Sequence, residues 1–401
     1  MSSTLQVRPF ARTAAEPPQA RDQPSRMPGA CYHGGAFFEA IGEDFSRLAT
    51  HDTIINADVL DAWFPPAPAV IDALHRDLPW LLRTSPPTHC RGLIDTIARV
   101  RGLPAESIVC GAGSSDLIFR ALSEWLRPES RVLILDPTYG EYAHVCEHVV
   151  GCTIDRLVLQ RENGYRVNLD ELRERLAQEY DLVVLVNPNN PTGQHLPRAE
   201  LEPLLRQAPE STRFWIDEAY LEYVDGAESL ERFAARSPNV VVCKSLSKVY
   251  ALSGARAAYL VGAPDLVARL RVLTPPWVVS LTAQLAAVRA LESPAYYREC
   301  YARTDALRAA LIEELRVIDT RIITVGTGNF LLCHLPTDRP DAATIERQCR
   351  ARGLFIRDVS RIVPRLGPHV IRLAVKDAAT QRRMVDLLAG ALAGSLAARR
   401  N

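Results

Sequence analysis

The chain has 401 residues, of which 47 are basic and 47 acidic, so it carries no net charge, and 47% of it is hydrophobic. That length and composition provide for a sizeable globular core, as two or three domains or as one large α/β domain with a smaller companion. Balanced charge excludes the basic footprint of a nucleic-acid binder and an acidic solvating tail, which leaves a small molecule as the expected partner.

Residues 1–28 are rich in Pro, Arg, Ala and Ser, contain no apolar run, and read as a disordered tail rather than a secretory signal. The stretch NADVLDAWFPPAP, 56–68, is broken by proline and precedes a helix expected near 68–78, which assigns 29–83 to a smaller domain and the cleft beside it. From about residue 105, short β-branched runs (SIVCGAG, RVLILD, DLVVLVN, TRFWID, NVVVCKS, RAAYLVG) alternate with helical patterns such as SSDLIFRALSEWL, TYGEYAHVCEHVV and PRAELEPLLRQ. This alternation predicts an α/β fold with a mainly parallel sheet between helices, in a large domain over 84–292. Several of the runs are apolar at both alternating positions, as strands covered on both faces are. Residues 279–316 read as helical with a break at Pro294. The strands RIITV, NFLLCHL, LFIRDV and HVIRLAV, with helices near 341–350 and 378–397, predict a smaller C-terminal α/β domain over 293–401. No stretch approaches the roughly 20 apolar residues that cross a bilayer. Nine scattered cysteines without a C-x-x-C pair fit reduced thiols and a cytoplasmic protein.

In an open α/β sheet, ligands gather beyond the carboxyl ends of the strands. Four of those ends carry polar residues: PTYGEY after VLILD, NPNNPTG (187–193) after DLVVLV, Asp217 with Tyr220 after TRFWI, and KSLSK after NVVVC. The last holds two of only three lysines, Lys244 and Lys248, in a chain with 47 basic residues. Asn190 in NPTG, Asp217 in DEAY, Lys248 in SLSK and Arg256 eight residues further on resemble the fold-type I aminotransferases, those similar to aspartate aminotransferase, over roughly residues 50–395. Within that family YALSGARAAYL, PTYGEY, the PPW ending at Trp277 and the arginines of FIRDV and VIRLAV resemble histidinol-phosphate aminotransferase and threonine-phosphate decarboxylase.

The resemblance implies pyridoxal 5′-phosphate as cofactor and assigns roles that its chemistry requires. Lys248 would carry the cofactor covalently and then act as the base that moves the substrate proton. Asp217 would keep the pyridine nitrogen protonated, Asn190 and Tyr220 would hydrogen-bond the ring 3′-oxygen, and Tyr139 would stack on the ring. Arg256, Ser245 and the loop GAGSS, through Gly113, Ser114 and Ser115, would hold the phosphate at a helix start. Arg372 and Arg357 would grip two anionic groups of the substrate, with Asp58 and Trp63 beside its side chain. Lys244, inside or at the edge of its strand, reads as structural.

Two features depart from the family. RTSPPTHC, 83–90, puts Thr84 where a tyrosine usually reaches the neighbouring subunit, and NADVLDAWFPP replaces an N-x-N-x-P pattern. Both changes fall on the substrate side and at the seam of the homodimer that the resemblance implies. The expected function is an aminotransferase acting on an amino acid or amine with a second acidic group. Decarboxylation, elimination, replacement or carbon–carbon bond formation on the same cofactor remains open, because substrate orientation decides which bond breaks. The match of HVCEH, 144–148, to the zinc-peptidase pattern H-x-x-E-H lacks a third ligand, and no metal is expected.

Overall fold

The computed structural model describes residues 34–398; the tail expected at 1–28 lies outside them. Seven strands form the main sheet: β1 (Ile108–Gly111), β2 (Arg131–Asp136), β3 (Thr153–Val158), β4 (Leu182–Val186), β5 (Arg213–Asp217), β6 (Val240–Ser245) and β7 (Ala258–Val261). Their order is β1-β7-β6-β5-β4-β2-β3, and only β7 runs antiparallel to its neighbours. β4 and β6 are buried along their whole length, which is why their sequences are apolar on both faces. The strand missing from the sequence reading is β3. It lies at the sheet edge, mostly half-exposed, and its charged sequence TIDRLV hides the strand pattern.

Helices cover both faces. The helix Ser114–Trp125 starts directly after β1, and the helical stretch that follows β2 is α-helical over Gly140–His144 and π-helical over Val145–Val150. The long stretch after residue 279 divides into Leu281–Leu291 and Pro294–Ile318, with Pro294 in the first turn, where its missing N–H costs nothing. Among the described residues, no helix is long and apolar enough to cross a membrane.

A second, antiparallel sheet has the order β10-β11-β9-β8, from β8 (Ile323–Val325), β9 (Phe330–His334), β10 (Arg357–Asp358) and β11 (Val370–Ala374). The segment after residue 54 is stitched to it. Ile55–Asn56 pair in parallel with Leu354–Phe355, Ala57 N donates to Phe355 O at 2.8 Å, and Ala374 N donates to Ala57 O at 3.0 Å. Asn329 Nδ2 then fixes Leu60 O at 2.9 Å. Residues 58–61 are thereby delivered to the carboxyl ends of the main sheet.

Candidate active site

A cavity of about 220 Å³ opens beyond the carboxyl ends of β2, β4, β5 and β6. Ser114, Tyr139, Asn190, Asp217, Tyr220, Ser245, Lys248, Arg357 and Arg372, all singled out from sequence, line it. Buried amide and hydroxyl contacts lock two of the contributing loops together. Thr138 Oγ1 donates to Asn189 Oδ1 at 2.7 Å, and Asn189 Nδ2 donates to Pro137 O at 2.8 Å.

Asp217 ends β5 with only 4% of its surface exposed. Its Oδ2 accepts from Tyr142 Oη at 2.6 Å and its Oδ1 from Ala219 N at 3.0 Å. Tyr142 Oη in turn accepts from Trp215 Nε1 at 2.7 Å. Burial pushes the Asp217 carboxyl up to about 6, against the two hydrogen bonds that favour its charge. A cation placed beside it would favour its charged form.

The two lysines of KSLSK separate cleanly. Lys244 is buried on β6 between Glu222, 2.9 Å away, and Glu218, 3.4 Å away. Burial alone would lower its pKa, but those carboxylates hold it above the ordinary lysine value. It is a structural ion pair. Lys248 stands in the short helix Leu246–Val249, capped by the Ser245 hydroxyl, and lines the cavity. Its Nζ lies 2.8 Å from Asp61 Oδ1 and 3.4 Å from Ser253 Oγ. The third lysine, Lys376, is pushed down to about 8 by burial, opposed by Asp61 and reinforced by Lys248.

At one end of the cavity, Gly113 caps the helix Ser114–Trp125 with φ 90°. A Cβ there would collide with the Arg256 guanidinium, falling 2.9 Å from Cζ, so glycine is required on two counts. Arg256 Nη1 donates to Ser253 O at 3.1 Å. Ser114 and Ser245 line the cavity beside this helix start, whereas Gly113 and the Arg256 it touches, both expected at the phosphate, do not line it. Ser115 does not line the cavity; its hydroxyl donates to Glu141 Oε2 at 3.0 Å. The same oxygen accepts from Tyr139 Oη at 2.6 Å, which fixes the Tyr139 ring over the cavity.

At the other end, Arg372 Nη1 donates to Asn190 Oδ1 at 2.7 Å and Nη2 to Asp58 O at 2.9 Å. The first bond leaves the Asn190 Nδ2 as the group available to donate to a ligand. Burial and Arg357 push the Arg372 pKa down to about 10. Arg357, expected as a second anion anchor, is held by Asp58, with Nε 2.5 Å from Oδ1. Asp58 is therefore occupied as a counter-ion and does not line the cavity. Nor does Trp63: its Nε1 donates to Thr304 Oγ1 at 2.8 Å, and Arg303 lies over its ring at 4.8 Å. Sequence reasoning missed Asp61, Tyr142 and Glu141, whose importance arises from long-range contacts; only the rarity of lysine pointed toward Lys376.

The decoy HVCEH straddles the α-to-π junction, with the rings of His144 and His148 5.4 Å apart. Among the described residues no group of three His, Cys, Asp or Glu could hold a metal ion.

A buried carboxylate, a lysine and a helix start with two serines around one cavity suit a phosphorylated, nitrogen-containing ring. The residues present fit pyridoxal phosphate. Residues 59–392 match the model of the family Aminotransferase class I and II, and the chain belongs to that family as a pyridoxal-phosphate-dependent aminotransferase. It is 32% identical over 269 residues to histidinol-phosphate aminotransferase 2 of Carboxydothermus hydrogenoformans, covering 66% of this chain and 72% of the relative. It is 28% identical to the histidinol-phosphate aminotransferase of Ruegeria sp., covering 93% and 99%. The crystal structure of the histidinol-phosphate aminotransferase from Sinorhizobium meliloti in complex with pyridoxal-5′-phosphate superposes with TM-score 0.76 at 23% identity, over 93% of this chain and 98% of that one. The L-threonine-O-3-phosphate decarboxylase from Porphyromonas gingivalis gives 0.73 at 22%, over 86% and 99%.

Proposed function

We propose that this aminotransferase removes the amino group of a carboxylate-bearing amine held by Arg372, with Lys248 as the cofactor-bearing residue and proton carrier. The observation that carries the reading is the convergence on one cavity of Asn190, Asp217 with Tyr220, and Lys248 from beyond the ends of β4, β5 and β6, and of Arg372 from β11 of the second sheet. Bound pyridoxal phosphate supplies an electrophilic carbon and an electron-accepting ring. Asp217 holds the proton on the ring nitrogen, Asn190 and Tyr220 donate to the ring oxygen, and Tyr139 restrains the ring face. Ser114, Ser245 and Arg256 bind the phosphate, with Gly113 making room for the arginine. Arg372 orients the substrate carboxylate, and its Nε, buried without a partner among the described residues, is a donor still to be satisfied. Lys248 must leave Asp61 to do its work, and its amine then moves a proton from the substrate α-carbon.

The enzyme acts as a homodimer in the cytoplasm in this reading. Ile71, Leu78 and Leu82 leave an exposed apolar stripe along Pro68–Arg83, as a partner-covered face does, and the described cysteines are all free thiols. The test is to mix holoenzyme with a panel of amino acids and follow the cofactor spectrum and product masses together. Conversion of the cofactor to pyridoxamine phosphate with release of a keto acid supports the reading. Release of carbon dioxide or ammonia, or formation of a larger adduct, without pyridoxamine phosphate would show one of the alternative reactions instead.

A further inference from the structure

Arg357 and Arg372 face each other across the β10–β11 register, and both are buried. Two guanidiniums so placed repel, and the carboxylate of Asp58, paired with Arg357, opposes that repulsion. Its Oδ1 contacts Arg357 Nε at 2.5 Å, while its backbone oxygen accepts from Arg372 at 2.9 Å. The pair is also sealed from outside. Gly35 N approaches Asp58 Oδ2 at 3.4 Å, and a Cβ on Gly34 would collide with Arg357 Nη2 and fall 2.7 Å from Asp58 Oδ2.

Two cations and one fixed anion leave a single positive charge at this end of the cavity. One carboxylate from the substrate consumes it. A second anion, or a dianionic phosphate in place of the carboxylate, would then meet a cavity whose lining includes the apolar Val59, Leu60, Val359 and Ile362. The nearby arginines offer no relief: Arg361 is bound to Asp358 at 3.2 Å and Arg365 to Asp136 at 3.2 Å. Burying an uncompensated charge among those apolar walls is costly.

Resting on the aminotransferase reading above, we infer that the substrate is an α-amino acid with an uncharged, largely apolar side chain. Asp58 is the specificity-determining residue, because it occupies Arg357 and so excludes phosphate esters and dicarboxylic amino acids. This sets the chain apart from what the names of its relatives would lead one to assay.

The experiment compares holoenzyme and the Asp58→Asn variant, first by turnover of phenylalanine, leucine, glutamate and an amino-alcohol phosphate. The second measurement is calorimetric binding of two carboxylates without an amine, 3-phenylpropanoate and glutarate, which cannot react. Wild type should turn over phenylalanine or leucine and bind 3-phenylpropanoate at least ~tenfold more tightly than glutarate. Asp58→Asn frees Arg357 and should shift both preferences toward the second anion by roughly 30-fold or more. The double variant Asp58→Asn/Arg357→Gln removes both charges and should return to the wild-type preference, which separates a charge effect from misfolding. Wild type that prefers glutarate or the phosphate ester, or a double variant that keeps the shifted preference, overturns the inference. Absence of turnover with every amine would refute the transaminase reading, whereas the binding order of the two unreactive acids judges the role of Asp58 independently.

Discussion

Asp217 makes the apo-protein's stability depend on pH in a direction that can be worked out. Burial raises its carboxyl from 3.8 to about 6, a shift of about two units. Between those values the folded state keeps a proton that the unfolded chain has released, so stability falls as pH rises through the window. The ordinary carboxylate pairing gives the opposite slope. At about 1.4 kcal/mol per unit, the loss between pH 4 and pH 7 is about 2–3 kcal/mol. Asp217→Asn abolishes the titration while keeping an acceptor for Tyr142; the mismatch with Ala219 N adds a cost that does not vary with pH. Urea unfolding of both apo-proteins from pH 4 to 7 should therefore show the variant gaining about 2–3 kcal/mol on wild type, whatever their absolute stabilities. In wild type saturated with pyridoxal phosphate the fall should vanish, since Asp217 regains a cationic partner. Parallel pH profiles for the two apo-proteins would refute the assignment of Asp217 as a carboxyl whose charge is disfavoured by burial until a cation joins it.

Borohydride reduction and peptide mapping should place the cofactor adduct on Lys248, and Lys248→Ala should abolish it; an adduct on Lys244 or Lys376 contradicts the site. Lys244→Met should leave the adduct intact but destabilise the fold by roughly 3–5 kcal/mol in denaturant titration, because Glu218 and Glu222 lose a buried cation. Arg372→Ala should lower turnover by roughly a hundredfold or more, with cofactor absorbance unchanged. Gly113→Ala should weaken pyridoxal phosphate binding at least ~tenfold while leaving binding of unphosphorylated pyridoxal nearly unchanged, since only the phosphate meets the displaced Arg256.

Most of the main sheet was legible because a strand covered on both faces writes an unbroken apolar run into the sequence. Leu182–Val186 and the first four residues of Val240–Ser245 show it as LVVLV and VVVC, while Lys244 beyond them is buried only through its ion pairs with Glu218 and Glu222. At the edge that compulsion is gone: β3 keeps Asp155 and Arg156 exposed enough to pair with Arg131 at 2.7 Å and Glu147 at 2.6 Å, and its pattern dissolves. The continuous helix expected over TYGEYAHVCEHVV became an α segment and a π segment for the same kind of reason. Apolar periodicity reports that a stretch is helical but not how tightly it winds.

The residues at the proposed cofactor end were singled out by short motifs, and the charge balance at the other end was not, for a physical reason. In the proposed site Lys248, Asp217 and Asn190 would meet one fixed chemical object, so their types and spacing are set by that object and can be read from short motifs. The charge at the substrate end is set by which side chains cancel, and that depends on pairings across long stretches of chain. Asp58 and Arg357 lie 299 positions apart, and Asp61 and Lys248 187 apart. Counted from sequence, Arg357 and Arg372 are two anion anchors; counted in the fold, Asp58 has already used one. On the inference drawn above, a reading of arginines alone overestimates the positive charge offered to the substrate, and the acidic residue that corrects it carries no motif of its own.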